Sequence, residues 1–285
     1  MARPSITELL ETTRPLALPG VWDALSAKLA ARAGFRAAFL SGYCMSATRL
    51  GQPDVGLLTQ SEVLDTARRV CAGVDVPVIV DADTGYGGAV NVERTVAELL
   101  QAGAAGCFLE DQVWPKRCGH LDRKQVVPLD EYLPKLRAAL RVRGGAPFHV
   151  TARTDARAVL GLEEAVTRAR AFAEAGADAV FVEAPESIAD MDRIRAAVPS
   201  EVTLVANMVE QGKTPLRTLR ELGEAGYGLV VFPIAGVLAS TFAVRDVYAA
   251  LFRDGTSAAC AGRMLRFAEM NGFLGLDELD RPERA

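Results

Sequence analysis

The feature that most constrains this chain is an alternation running from one end to the other. Short apolar runs fall at 16–19, 37–40, 76–80, 106–109, 148–152, 179–182, 202–206 and 229–232. Helical patterns succeed them at about 23–33, 60–72, 91–102, 130–142, 162–175, 187–197, 215–225 and 237–252. Repeated strand–helix units argue for a parallel sheet with helical crossovers. Eight of each is the number that closes a (β/α)8 TIM barrel. Ala33-Gly34, Ala102-Gly103, Ala175-Gly176 and Ala225-Gly226 each end a helical stretch shortly before an apolar run. Glycine there takes the left-handed cap and turns the chain back toward the sheet. A doubly wound open sheet shares the local pattern and is the architectural alternative. The barrel reading assigns 1–255 to a catalytic domain and 256–285 to a C-terminal helical extension that serves as an oligomer contact. That extension carries at least one more amphipathic helix near 257–270 and a charged, frayed tail at 280–285.

The residues just past each run are as informative as the runs. In order the chain supplies Ser41-Gly42, Asp81 with Asp83, Glu110-Asp111, Arg153-Thr154-Asp155, Glu183, Asn207 and Pro233. Barrel active sites are built at the C-terminal strand ends, so these groups read as one constellation. Burying acids behind a run such as Val78-Ile79-Val80 is costly unless they are paired. A divalent cation shared by Asp81, Asp83 and Glu110 removes that cost, and hard oxygen donors favour Mg2+ or Mn2+ over zinc. Glu110 pairing with Arg153 across the barrel mouth is a second reading. Arg153 itself suits a carboxylate, which its planar fork binds in bidentate fashion.

Beyond Glu110 comes Lys116-Arg117-Cys118-Gly119-His120, which reads as an acid/base loop over that site. Its cations are expected to depress the Cys118 thiol or pair with it. The plainer alternatives are a solvated turn for Asp81 and Asp83 and an inert thiol for Cys118. Tyr43 and Trp114 either line the pocket or merely cover the mouth. His149 opens an apolar run, at the far end from the site, and reads as structural. Gln211-Gly212-Lys213-Thr214 lacks the spacing of a phosphate loop.

Composition narrows the function classes. The net charge of −4 leaves no basic footprint for nucleic acid. No apolar stretch is read as reaching the roughly 18 residues that cross a bilayer, so no membrane partner is expected. The first residues, 1–14, lack the apolar core of a signal peptide. Five cysteines without metal-type pairing fit reduced, cytoplasmic thiols.

The motifs Ser41-Gly42, Gly51-Gln52-Pro53-Asp54, Asp81-Ala82-Asp83-Thr84-Gly85, Glu110-Asp111-Gln112, Lys116-Arg117-Cys118-Gly119-His120, Ala152-Arg153-Thr154-Asp155 and Asn207-Met208-Val209-Glu210 together resemble the isocitrate lyase / phosphoenolpyruvate mutase superfamily. The resemblance spans essentially the whole chain. It is strongest to the branch of petal death protein-like and carboxyvinyl-carboxyphosphonate phosphorylmutase-like proteins, with methylisocitrate and dimethylmalate lyases as further relatives. It implies a barrel with a last helix swapped between subunits and a homotetramer built as a pair of dimers. It implies Mg2+ held directly by Asp83, with Asp54, Asp81 and Glu110 acting mostly through water. Backbone amides of Ser41, Gly42 and Tyr43 would hold one end of a small dicarboxylate, and Arg153, Asn207 and Glu183 its carboxylates. Segment 116–120 would be a mobile gate in which Cys118 delivers a proton while Lys116 and His120 poise the thiol and Gly119 keeps it accessible.

The activity so implied is Mg2+-dependent C–C cleavage of a 2-hydroxy dicarboxylate of the 2-alkylmalate or methylisocitrate type, giving an α-keto acid and a carboxylate. Phosphoenolpyruvate mutases proper lack the gate cysteine. Oxaloacetate hydrolases carry serine where this chain has Pro233, and Tyr43-Cys44 replaces the paired glycines of methylisocitrate lyases. These departures favour a smaller substituted malate. A P–C bond-forming mutase, an oxaloacetate hydrolase and a catalytically silent binding barrel are the alternatives.

Overall fold

In a parallel barrel both faces of each strand are covered, one by the barrel interior and one by a helix, so strands become unbroken apolar runs. The computed structural model bears this out; it describes residues 3–279, and the charged tail expected at 280–285 lies outside the described residues. Eight strands form: β1 (Leu16–Val21), β2 (Ala38–Leu40), β3 (Val78–Asp81), β4 (Gly106–Glu110), β5 (His149–Thr154), β6 (Ala179–Val182), β7 (Thr203–Asn207) and β8 (Leu229–Phe232). They pair in sequence order, all parallel, and β1 closes on β8 through Leu16↔Leu229 to Pro19↔Phe232. That closure rules out the open sheet. The anticipated caps Gly34, Gly103, Gly176 and Gly226 have φ of 98°, 80°, 94° and 83°, the left-handed conformation glycine takes without a Cβ penalty.

Two apolar layers result. Between strands and outer helices lie Val80, Cys107, Leu109, Val150, Val180 and their helical partners. Inside the barrel Leu16, Leu18, Phe39, Ile79, Phe108, Phe181, Val205 and Val231 pack with Ile6, Leu9 and Leu10. Those last three belong to a helix, Ile6–Thr12, that the sequence pattern did not reveal. Ser5 and Glu8 cap it reciprocally, which is how so short a segment holds its first turn.

Two expectations near the C-terminus are corrected. Where at least one helix was expected near 257–270, the chain forms a 3-10 turn, Ala258–Arg263, succeeded by helices Phe267–Leu274 and Leu276–Leu279. The chain is extended at Met264 and Arg266 and left-handed at Gly275, which interrupts any continuous helix. Helix Ala235–Asp254 has a window of mean hydropathy 1.3 and is long enough to cross a bilayer by length and composition. Its length is masked in the sequence because Arg245 and Asp246 interrupt the apolar run. The chain divides after Val237 into two compact units. The second, from Leu238, exposes Phe242, Tyr248, Phe252 and Phe267.

Candidate active site

Register places the first pair of functional groups. β4 and β5 align residue for residue from Gly106↔His149 to Glu110↔Arg153, so an acid and a guanidinium leave the barrel side by side. Arg153 Nε lies 3.3 Å from Glu110 Oε2 and 2.9 Å from Asp155 Oδ2, and its Nη2 lies 3.2 Å from Glu183 Oε2. The guanidinium sits 5.3 Å from the ring centre of Phe181. Phe181 and Phe39 flank Phe108 at centroid distances of 5.7 and 4.8 Å, an aromatic floor below the charged groups. Asp111 fixes the turn that carries Asp155. Its carboxylate accepts from Thr154 Oγ1 at 2.6 Å, the Asp155 amide at 2.9 Å and Arg168 Nη1 at 2.8 Å.

The loops after β2 and β3 supply more acids. Ser41 caps the short helix Gly42–Met45. The Ser41 amide donates to Val21 O, and the Gly42 amide donates to Asp81 Oδ2 at 3.3 Å. Asp81 Oδ1 accepts from the Asp83 amide at 3.2 Å. Asp54 arrives on a turn held by Ser46 Oγ, which donates to the Gln52 and Pro53 carbonyls at 3.1 Å. Lys116 Nζ lies 2.6 Å from Asp54 Oδ1 and 2.8 Å from Asp83 Oδ1. Burial pulls this ammonium down, but Asp83 and Asp54 outweigh burial and hold it well above its ordinary range.

Residues 116–120 form a cover anchored at several points. The Cys118 amide donates to Asp54 O at 3.0 Å. Gln112 grips the backbone of Arg117 twice, donating to its carbonyl at 2.8 Å and accepting from its amide at 3.0 Å. Gly119 runs so close to Glu183 that an added Cβ would lie 2.4 Å from its Cγ. His120 Nδ1 accepts from the Lys213 amide at 3.0 Å. That bond assigns the proton of a neutral ring to Nε2, which stands 3.3 Å from Glu183 Oε1. Burial would raise the Glu183 carboxyl, yet Arg153 and His120 hold it well below the usual range.

The expected depression of the Cys118 thiol is reversed. Burial pushes it up to about 11, Asp54 adds to the rise, and Lys116 only partly opposes them. The reason is that the Lys116 ammonium is committed to Asp54 and Asp83. Cys118 is therefore a thiol at neutral pH, a group that can give a proton rather than attack as thiolate.

Ser41, Tyr43, Asp54, Asp81, Cys118, Gly119, His120, Arg153, Glu183, Asn207 and Pro233 line one cavity of about 230 Å3. Gly42, Asp83, Glu110 and Lys116, the other residues assigned site roles from the sequence, do not line it. Trp114 does not line it and is half exposed. Sequence reasoning gave no pocket role to Leu121, Val209, Gln211 and Ile234, which supply an apolar and amide wall. They sit in loops whose residue types carry no chemical signal.

A divalent cation was expected among Asp54, Asp81, Asp83 and Glu110. Among the described residues no three acidic, His or Cys side chains converge on one point, and the Lys116 ammonium bridges Asp54 and Asp83 instead. The donor set nevertheless fits such an ion. Glu110 Oε1 is buried without a hydrogen-bond partner, and six carboxylates (Asp54, Asp81, Asp83, Glu110, Asp155, Glu183) face three fixed cations, Lys116, Lys124 and Arg153. All-oxygen donors of this kind suit Mg2+.

Comparison with known proteins places the chain as a whole. A family model described as phosphoenolpyruvate phosphomutase matches residues 6–252. The chain is 44% identical over 276 residues to 2,3-dimethylmalate lyase of Eubacterium barkeri, covering 97% of this chain and 95% of that one. It is 46% identical to a chloroplastic carboxyvinyl-carboxyphosphonate phosphorylmutase of Arabidopsis thaliana, covering 94% and 80%. It is 45% identical to petal death protein of Dianthus caryophyllus, covering 94% and 84%. Among solved structures, oxaloacetate acetylhydrolase bound to 3,3-difluorooxalacetate superposes with a TM-score of 0.91 at 35% identity, over 96% and 93% of the two chains. Phosphonopyruvate hydrolase in complex with oxalate and Mg2+ does so with 0.84 at 31%, over 95% and 93%. Relatives of this chain thus include a lyase, a mutase and hydrolases, and the chain belongs to the phosphoenolpyruvate mutase / isocitrate lyase superfamily of barrel enzymes.

Proposed function

We propose that this enzyme is a carbon–carbon lyase that splits a small 2-alkylmalate-type 2-hydroxy dicarboxylate into an α-keto acid and a carboxylate. The observation that carries the reading is the placement of the Cys118 thiol, which lines the same cavity as Arg153 and Asn207 and which burial pushes up to about 11. Loss of the substrate hydroxyl proton to a carboxylate of the cavity lets the adjacent C–C bond break, which releases the α-keto acid and leaves a carbanion-like fragment beside the other carboxylate. The Cys118 Sγ–H supplies the proton that quenches it, because a thiol held up to about 11 keeps its proton at neutral pH until a strong base forms next to it. Arg153 binds a substrate carboxylate and stabilises negative charge as it grows. Asn207 Nδ2 lies 3.2 Å from Glu183 Oε2 and 3.3 Å from Oε1, so Glu183 orients that amide toward the cavity. His120 and Lys116 hold the cover down on Glu183 and on Asp54 and Asp83, which excludes water while the fragment is reactive. Mg2+, when bound through Asp83 and supported by Asp54, Asp81 and Glu110, supplies a positive centre for the hydroxyl and carboxylate oxygens.

Cavity chemistry supports a small substrate. Arg153 is the one Arg or Lys among the described lining residues, alongside Asp54, Asp81, Glu183 and Glu210. With one carboxylate on Arg153 and a second toward the metal, a third would meet no cation. Tyr43, Leu121, Val209 and Ile234 offer an apolar surface to an alkyl substituent. The Cys118→Ala variant tests the reading. Keto-acid release across a panel of 2-alkylmalates, methylisocitrate and oxaloacetate should fall by at least about 10², with Mg2+ and oxalate binding nearly intact. Near-normal turnover removes Cys118 from the mechanism. Kinship with the phosphorylmutase supports a second reading, P–C bond formation, which a new C–P resonance in 31P NMR would establish.

We also assign the enzyme to the cytoplasm, on its five free thiols, and to a homotetramer. Exposed Phe242, Tyr248, Phe252 and Phe267 give the C-terminal unit an apolar surface of the kind that marks subunit contacts. Sedimentation of the full chain tests the assembly; a monomer at micromolar concentration refutes it.

A further inference from the structure

The segment after His120 is exposed at Leu121, Asp122, Arg123 and Gln125, yet Lys124 in its midst is buried. A lysine has three donors and a long stem, and desolvating its ammonium is costly unless it is fully engaged. Lys124 Nζ donates to the Gly119 carbonyl and, at 2.8 Å, to Asp155 Oδ1. Gly119 belongs to the cover. Asp155 belongs to the barrel, fixed through its amide by Asp111, and it is also the counter-ion of Arg153, receiving Nε at 2.9 Å and Nη2 at 3.2 Å. One ammonium therefore ties the cover's backbone to the group that holds the substrate-binding guanidinium. Burial alone would raise the Asp155 carboxyl; Arg153 and Lys124 together reverse that and keep it below its ordinary range.

We propose that Lys124 is a positioning residue, a latch that holds the Cys118-bearing cover shut by joining the Gly119 carbonyl to Asp155 and thereby sets Arg153 for its substrate. The other ties of the cover, Lys116 to Asp54 and Asp83 and His120 to the Lys213 amide, reach different elements. Lys124 is the tie that joins a backbone carbonyl of the cover to Asp155, whereas His120 reaches Glu183, a second partner of the arginine. The latch rests on 116–120 being the acid-carrying cover, but its test does not require the substrate to be known.

The test is the rate at which Cys118 of the full-length enzyme is alkylated by iodoacetamide, monitored by peptide mass spectrometry, in wild type, Lys124→Met and Lys124→Arg. Cys44, Cys71, Cys107 and Cys260 are buried and serve as internal references. Loss of a charge-assisted tie should open the cover and speed Cys118 alkylation by about ten- to a hundredfold in Lys124→Met, with the reference thiols unchanged. Lys124→Arg keeps the charge and should fall between the two. With a turned-over substrate, Lys124→Met should lower kcat and raise KM together, since the cover and Arg153 are both released. An unchanged Cys118 rate overturns the latch. Equal acceleration at all five thiols overturns it too, because the residue would then support the fold as a whole. If Lys124→Met fails to fold, wild-type alkylation behaviour in a folded Lys124→Arg overturns the latch geometry. Should Cys118→Ala keep turnover while Lys124→Met still frees the thiol, the acid assignment fails and the latch stands.

Discussion

Replacing Gly119 by alanine isolates the placement of the cover from every other property of the site. The new Cβ would lie 2.4 Å from Glu183 Cγ and 2.5 Å from both Cδ and Oε2. Carbon atoms in ordinary contact stand about 3.5 Å apart, so something must move by roughly 1 Å. Glu183 is poorly placed to yield. Its Oε1 accepts the Ala184 amide at 2.8 Å, Asn207 lies at 3.2 Å from Oε2, and Arg153 Nη2 at 3.2 Å. The cover must therefore rise, and Cys118 rises with its neighbour. A misplacement of about 1 Å in a reacting group costs on the order of 10² in rate. Steady-state keto-acid release should show kcat down by about that factor, with the thermal midpoint little changed because the strain is confined to a loop. Gly145→Ala is the control, since a Cβ there meets nothing within 4 Å and should be silent. A Gly119→Ala enzyme with kcat within about threefold of wild type would refute the claim that the cover must sit this close to Glu183 to work.

Exhaustive chelation should silence turnover, and Mg2+ or Mn2+ should restore it; indifference to EDTA defeats the fit of Asp54, Asp81, Asp83 and Glu110 to a divalent ion. His149 gives a stability signature remote from the cover. Burial, aided by Arg143 and opposed by Asp178, lowers its pKa to about 4 from an ordinary value of 6.5, so the folded protein keeps it neutral while the unfolded chain takes up a proton. That contributes about 3 kcal/mol which is present above pH 6.5 and lost as pH falls toward 4. Urea midpoints for wild type and His149→Gln should therefore diverge in slope across that window, and parallel slopes rule the assignment out.

Strands and sites were legible to different degrees for physical reasons. A strand of a closed parallel barrel is buried on both faces, so 179–182 and 229–232 could be bounded to the residue. The acids and the arginine were found because polar groups at strand ends break those runs. Pairings made by loops left no such trace. Lys116 meets Asp54 across 62 positions, and the Lys213 amide meets His120 across 93; only the closed fold brings them together. The Cys118 error has the same origin. Its neighbours in sequence are cationic, but its neighbours in space include Asp54, and burial outweighs both. Nothing in the sequence singles out Lys124, because burial of a loop side chain has no sequence period. The C-terminal helix was misjudged because composition favoured helix throughout, while the chain is extended at Met264 and Arg266.

The excess of carboxylate over fixed cation at the barrel mouth has a consequence for the order of binding. A dicarboxylate entering alone would add two negative charges to a cavity already lined by Asp54, Asp81, Glu183 and Glu210, and in a partly desolvated site like charges repel far more strongly than in water. Lys116 offsets Asp54 and Asp83, and Arg153, shared among Glu110, Asp155 and Glu183, has only part of its charge to give a single carboxylate. A divalent ion entering with the ligand adds no net charge with it and relieves the acids at once. Metal and dianion must then bind with positive coupling, and linkage makes that coupling equal whichever is titrated first. For oxalate, the ligand seen with Mg2+ in phosphonopyruvate hydrolase, calorimetric affinity should rise by roughly 5- to 150-fold when Mg2+ is present, and Mg2+ affinity should rise by the same factor with oxalate. Oxalate binding equally tightly in EDTA would mean that the fixed cations suffice, and the charge argument for the metal would fall with it.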